Sequence, residues 1–147
     1  MLVRAAIIAA CAVAIAVLAM QRSDHDACMA ALASITRAAY GGAAPAAGLA
    51  SEARLVTERC DDGTDAASAS GALSTGRRRS PALALELAAT AARREPEGFN
   101  AWVALELARA GVGDLTGARA AERRAKALNP RWPGLPPSAA SGRWASG

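Results

Sequence analysis

The sequence predicts an all-α protein: an N-terminal helix able to cross a membrane, followed by about three stacked helical hairpins. Three observations carry this prediction. Hydrophobic residues make up 52% of the 147-residue chain but aromatic residues only 3%, so alanine and leucine supply most of the apolar surface. Alanine is the strongest helix former, while the strand-favouring Val, Ile, Tyr and Phe become scarce after residue 20. The first twenty residues are almost free of charge, and the rest of the chain is not. The length leaves room for one small domain with an anchor and a tail.

The opening stretch MLVRAAIIAACAVAIAVLAM holds one charge, Arg4, and is uncharged and apolar from Ala5 to Met20. That run rises about 24 Å as a helix, and with Leu2, Val3 and a snorkelling Arg4 it approaches the ~30 Å hydrocarbon core. Residues 1–22 are therefore expected to be a transmembrane signal anchor, since the run exceeds the roughly 7–15 apolar residues of a cleavable signal. Two other fates stay open: cleavage after Val17-Leu18-Ala19, and lipidation of Cys11 in Ile8-Ala9-Ala10-Cys11. Arg4 and the terminal amine flank one side, Gln21-Arg22-Ser23-Asp24-His25-Asp26 the other. The positive-inside rule then expects a single-pass protein with a cytoplasmic N-terminus and an extracytoplasmic domain.

Residues 23–62 read as a helical hairpin. Asp24 or Asp26 is expected to cap a helix running to Tyr40, with Met29, Leu32, Ile35 and Ala39 at helical spacing. Gly41-Gly42 breaks it and Pro45 can open a second helix through Leu49, Ala53 and Val56. The turn lies midway between Cys28 and Cys60, so an antiparallel hairpin sets these two cysteines side by side at its open end. Export would favour a disulfide there, and closing such a loop contributes roughly 3–4 kcal/mol in the chain-entropy model.

The segment FNAWVALELARAGVGDLTGARAAERRAKALNP sets Trp102, Leu105, the Gly113-Asp114 turn, Ala118, Ala125 and Pro130 in register. This resembles the tetratricopeptide repeat (TPR) family, whose 34-residue unit is a helix-turn-helix. Two positions depart from the family pattern, Glu106 and Arg109, where a small residue and an aromatic are usual. Stepping back 34 residues takes Pro130 to Pro96, Ala125 to Ala91 and Ala118 to Ala84, so SPALALELAATAARREP reads as the second helix of a preceding unit. The first helix of that unit, from about Asp65 to Gly76, is degenerate, and the cysteine hairpin matches in phase only. Residues 63–130 are thus expected to hold TPR-like repeats and 131–147, rich in proline, glycine and serine, to be a disordered tail. The resemblance implies a groove for a protein or peptide partner, lined by Asn100, Val103, Leu107 and Ala110 with Ala69 and Leu73 of the preceding unit. The lysine and asparagine pattern that clamps a peptide carboxylate in some family members is missing, so an apolar helix or extended segment is the expected occupant.

Signals for chemistry are sparse. His25 is the one histidine, and no glycine-rich phosphate loop, CxxC or CxxCH motif is present. His25 with Asp24, Asp26 and Cys28 forms a metal cluster on paper, but Cys28 is better used in a disulfide and the second half of a zinc site is missing. Asp61-Asp62 precedes Gly63-Thr64-Asp65, where helix capping accounts for it. No catalytic residue, metal site or cofactor is expected. Of the 17 basic residues only Lys126 is lysine, which fits codon bias better than a nucleic-acid surface. Gly76-Arg77-Arg78-Arg79-Ser80 is read as a solvated turn, with nucleic acid not expected as a partner. The expectation is a non-enzymatic, membrane-anchored protein of a bacterial envelope that displays an interaction surface. Its rivals are a secreted or periplasmic factor using Cys28 and Cys60 for redox or lipid handling, and an inverted adaptor with both thiols reduced.

Overall fold

The structure, a computed structural model, describes residues 2–41, 48–76 and 79–135. Gly42, Pro45, Arg77, Arg78 and residues 136–147, including Trp144, lie outside the described residues. Among the described residues there are six α-helices and no strand: α1 (Leu2–Tyr40), α2 (Leu49–Arg59), α3 (Gly63–Thr75), α4 (Pro81–Arg94), α5 (Phe99–Gly111) and α6 (Leu115–Leu128).

The expected helix start at Asp24 or Asp26 is absent: α1 runs unbroken for 39 residues. No glycine or proline interrupts residues 2–40, and extending a helix costs far less than nucleating a new one. From Ala6 to Met20 every residue is exposed, and the helix is long and apolar enough to cross a membrane. Beyond that stretch α1 buries Cys28, Ala31, Ile35, Ala38 and Ala39 on one face. Met29, expected on this face, is 50% exposed; the buried stripe follows Cys28 at 3- and 4-residue steps instead.

The helices pair as α1 with α2, α3 with α4, and α5 with α6. Helix α3 also packs against both α1 and α5, and α4 against α5 and α2. Alanine dominates the interior, with Ile35, Val56, Leu73 and Leu87 as its largest fully buried residues of aliphatic type. Small side chains let the helix axes come close, but each buries little apolar area, so the helices depend on further ties. At Gly76 the approach to α1 is tight: a Cβ there would lie 2.7 Å from both Cβ and the carbonyl oxygen of Ala39.

Three such ties are polar. The Arg94 guanidinium donates to the carbonyls of Thr57 and Cys60 and so caps the C-terminus of α2. Asp62 caps α3, which begins at Gly63 rather than near Asp65, by accepting from the Thr64 amide at 2.7 Å. Glu95 accepts from the same amide at 3.2 Å. Its hydrogen bond with Asp62 holds the Glu95 carboxyl above the usual glutamate range and Asp62 below the usual aspartate range. The adjacent Arg94 and Glu95 therefore fasten both sides of the α2–α3 junction to the end of α4.

Helix α5 ends two residues before the glycine expected to stop it. Gly113 adopts φ +82°, its amide donates to Ala110, and the Asp114 amide donates to Arg109. This is the Schellman arrangement, in which glycine takes the left-handed position without a Cβ penalty. Asp114 then caps α6 through the Gly117 amide at 2.8 Å.

Cys28 and Cys60 form the expected disulfide, with their Cα atoms 5.1 Å apart and a sequence separation of 32. Replacing both cysteines by serine is expected to lower the unfolding free energy by roughly 3–4 kcal/mol through loop entropy, read as a reduced urea midpoint with an intact helical spectrum at zero denaturant.

Candidate functional site

The residues expected to line a groove divide among three environments. Asn100, Val103 and Leu107 face a shallow cleft of about 220 Å³ between α5 and α3, whose other wall is Thr64, Ala67, Ser68 and Gly71. Ala69 and Leu73 do not reach it; they are 1% and 0% exposed and belong to the core. Register explains the correction. A 34-residue step equates Val103 and Leu107 with Ala69 and Leu73, but α3 has helices packed on both sides, α1 and α5. Positions open at one helix are covered at the other. Ala110 is also buried, and borders a separate pocket of about 70 Å³ with Glu106, Leu115, Ala118 and Leu135.

The cleft carries no charged side chain, and its polar groups are the Thr64, Ser68 and Asn100 side chains. Such a surface offers apolar contact with a few hydrogen bonds at its rim. Gly71 leaves it unobstructed: no atom lies within 4 Å of where a Cβ would stand.

The motif residues pack as their types require. Leu105, Ala118 and Ala125 are buried. Trp102 donates its indole N–H to the Pro96 carbonyl at 2.8 Å. Arg124 of α6 reaches the same carbonyl at 3.3 Å and pairs with Glu97 at 2.5 Å. Pro130 lies just past the end of α6 and is exposed.

The two departures from the motif have structural tasks that the sequence reading missed. Arg109 donates to the Gly117 carbonyl at 3.1 Å and lies 3.9 Å from Asp114, bracing the α5–α6 turn. Glu106 is 3% exposed. Its carboxylate accepts from the Trp132 indole at 3.1 Å and from the Leu135 amide at 3.0 Å. Trp132 also meets Phe99 edge to face, with ring centroids 5.6 Å apart. Residues 131–135, in the tail that the sequence reads as largely unfolded with Trp132 able to fold back, are thus tied to α5. A buried carboxylate with two donors outweighs the segment's turn-rich composition. The mismatch at Glu106 was the available signal, because an acid at a packing position needs partners.

A second constellation surrounds the disulfide. Cys28 and Cys60 are each 2% exposed, at the base of a cavity of about 350 Å³ lined also by Asp24, His25, Met29, Arg59, Asp61, Asp62 and Asp65. Asp65 places its Oδ2 3.4 Å from the Cys28 sulfur. Burial, then the charge of Asp62, push the Asp65 carboxyl above the usual aspartate range, and His25 opposes them. Asp24 pairs with Arg59 across the open end of the hairpin. Of the paper cluster only Asp24, His25 and Cys28 share this cavity; Asp26 does not line it, and Asp65 does.

Compared with protein-family models, with curated proteins and with solved structures, the chain matches none.

Replacing Glu106 by alanine is expected to cost about 1–3 kcal/mol by removing the charged acceptor of the part-buried Trp132 and Leu135 donors. Limited trypsin digestion at the exposed Arg131 should then be several-fold faster than in the parent protein, while cleavage at Arg93 and Arg94 of α4 stays unchanged.

Proposed function

We propose that this chain is a non-enzymatic, single-pass membrane protein whose TPR-like helical domain presents a docking surface on the extracytoplasmic side. The uncharged cleft between α3 and α5 is the observation that carries this reading. It takes an apolar helix or an extended segment of a partner protein, with Ser68 and Asn100 supplying hydrogen bonds at its edge. The pairing of consecutive helices and the side-by-side packing of α1, α3 and α5 are what a stack of TPR-like units would give.

The anchor adds a mechanical element. Because α1 continues from its lipid-facing stretch into the domain core, the domain is carried on a rigid stalk rather than a flexible tether. A stiff connection holds the cleft at one height and restricts the search for a partner to the membrane plane. The Cys28–Cys60 bond favours an oxidising compartment for the domain, and Arg4 with the terminal amine favours a cytoplasmic N-terminus.

Two experiments test the reading. Deleting residues 2–20 is expected to shift the protein from the membrane to the soluble fraction, and unchanged fractionation would remove the anchor. A photoreactive amino acid at Asn100 or Ser68 in intact cells is expected to give a discrete adduct with another protein, absent when the probe stands at Arg123 on α6. Equal labelling from all three positions would show that the cleft is not the contact surface.

A further inference from the structure

We propose that the stapled end of the first hairpin is a redox-gated binding site for a zinc-type divalent cation, formed by Cys28, Cys60 and Asp65 once the disulfide is reduced. This site is separate from the cleft and does not depend on the display reading.

The geometry supplies the donors. The two sulfurs and the Asp65 carboxylate all lie within 4.8 Å of one another. The 3.4 Å gap between Asp65 Oδ2 and Cys28 Sγ is close to the edge of about 3.5 Å that a tetrahedral zinc imposes between a thiolate and a carboxylate oxygen. The sulfurs have to separate to about 3.8 Å. With Cα atoms 5.1 Å apart, side-chain rotation provides that separation and the backbone stays in place.

Each ligand is also held independently of the S–S bond. Cys28 lies inside the continuous helix α1. Cys60 has its carbonyl gripped by Arg94. Asp65 sits in the first turn of α3, behind the Asp62 cap. Loss of the covalent link therefore leaves the three donors facing one point. The cavity beside them leaves a fourth position open to water, with His25 one helical turn before Cys28 on the same side. Two thiolates with a carboxylate form a borderline-soft, trianionic set that suits zinc rather than calcium or magnesium.

The chemistry balances with a dithiol reductant. Two electrons and two protons pass from the dithiol to the Cys28–Cys60 bond, giving two thiols and an oxidised dithiol. The cation then displaces both thiol protons and binds the thiolates, so one metal is gained and two protons are released. Reoxidation by a disulfide, which takes up the two electrons with two protons and leaves as a dithiol, restores the Cys28–Cys60 bond and ejects the cation, so occupancy reports the local thiol–disulfide balance.

The test uses the full chain in detergent, a phosphine as reductant and cobalt(II) as the probe. The oxidised protein is expected to bind no cobalt. The reduced protein should bind one per chain, with a thiolate-to-cobalt charge-transfer band and the visible absorption of tetrahedral coordination, while circular dichroism shows its helices retained. Cys11→Ser should change neither result. Asp65→Asn keeps both thiols and should weaken binding by about tenfold or more, as loss of a carboxylate ligand requires. Any of four results overturns the proposal: a disulfide that resists the phosphine in the folded protein, no cobalt spectrum after reduction, undiminished affinity in Asp65→Asn, or binding only by a chain that has lost its helices.

Discussion

The unbroken helix α1 meets two environments, and the rest of the molecule is arranged around the point where one gives way to the other. Its first half exposes Ile7, Ile8, Val13, Ile15 and Leu18 on all sides, which is tolerable in lipid and costly in water. Its second half shows one buried stripe, from Cys28 to Ala39, and the first hairpin closes on it. The changeover falls at Cys28, where the disulfide bonds α1 to the end of α2. The Asp24–Arg59 ion pair lies beside it, on the side toward the apolar stretch. Covalent closure here adds loop-entropy stabilisation to the alanine packing, the ion pair and the Arg94 contacts that also hold the hairpin.

The same economy explains the polar ties farther along the chain. A core built from alanine permits close helix approach but contributes little hydrophobic energy per residue. Hydrogen-bonded end groups make up part of the difference. Arg94 and Glu95 fasten the α2–α3 junction to α4. The Pro96 carbonyl receives Trp102 from α5 and Arg124 from α6. Glu106 draws the segment around Trp132 over the end of α5. In each case a hydrogen-bonding group ties together chain segments that are separate in sequence.

The cleft and the cavity at the staple differ in chemical character. The cleft between α3 and α5 is uncharged and shallow, suited to apolar contact. The cavity at the staple is lined by sulfur, carboxylate and imidazole groups, suited to a small cation. They share α3, which presents Thr64, Ser68 and Gly71 to one and Asp65 to the other. Its small side chains and two packed flanks allow one short helix to border both.

Much of this was legible in the sequence because it follows from local rules. The apolar run before Gln21, the helical spacing of Leu49, Ala53 and Val56, the Gly113-Asp114 turn and the side-by-side cysteines all depend on periodicity and turn chemistry within a few tens of residues. Other features were decided only by tertiary contacts. Nothing local reveals that α1 continues through Asp24 and Asp26, because capping residues act as caps only where the chain has a reason to start a helix. The exposure of Ala69 and Leu73 could not be read from a 34-residue step, since α3 has two neighbours where the step assumes equivalence. Asp65 reaches Cys28 across 37 residues, and Glu106 orders a segment 26 to 29 residues away. The sequence by itself determined which stretches are helices and where they turn, because backbone preference and hydrophobic period are short-range. Which side chains are covered, and which meet at a site, was left to the packing of distant helices against one another.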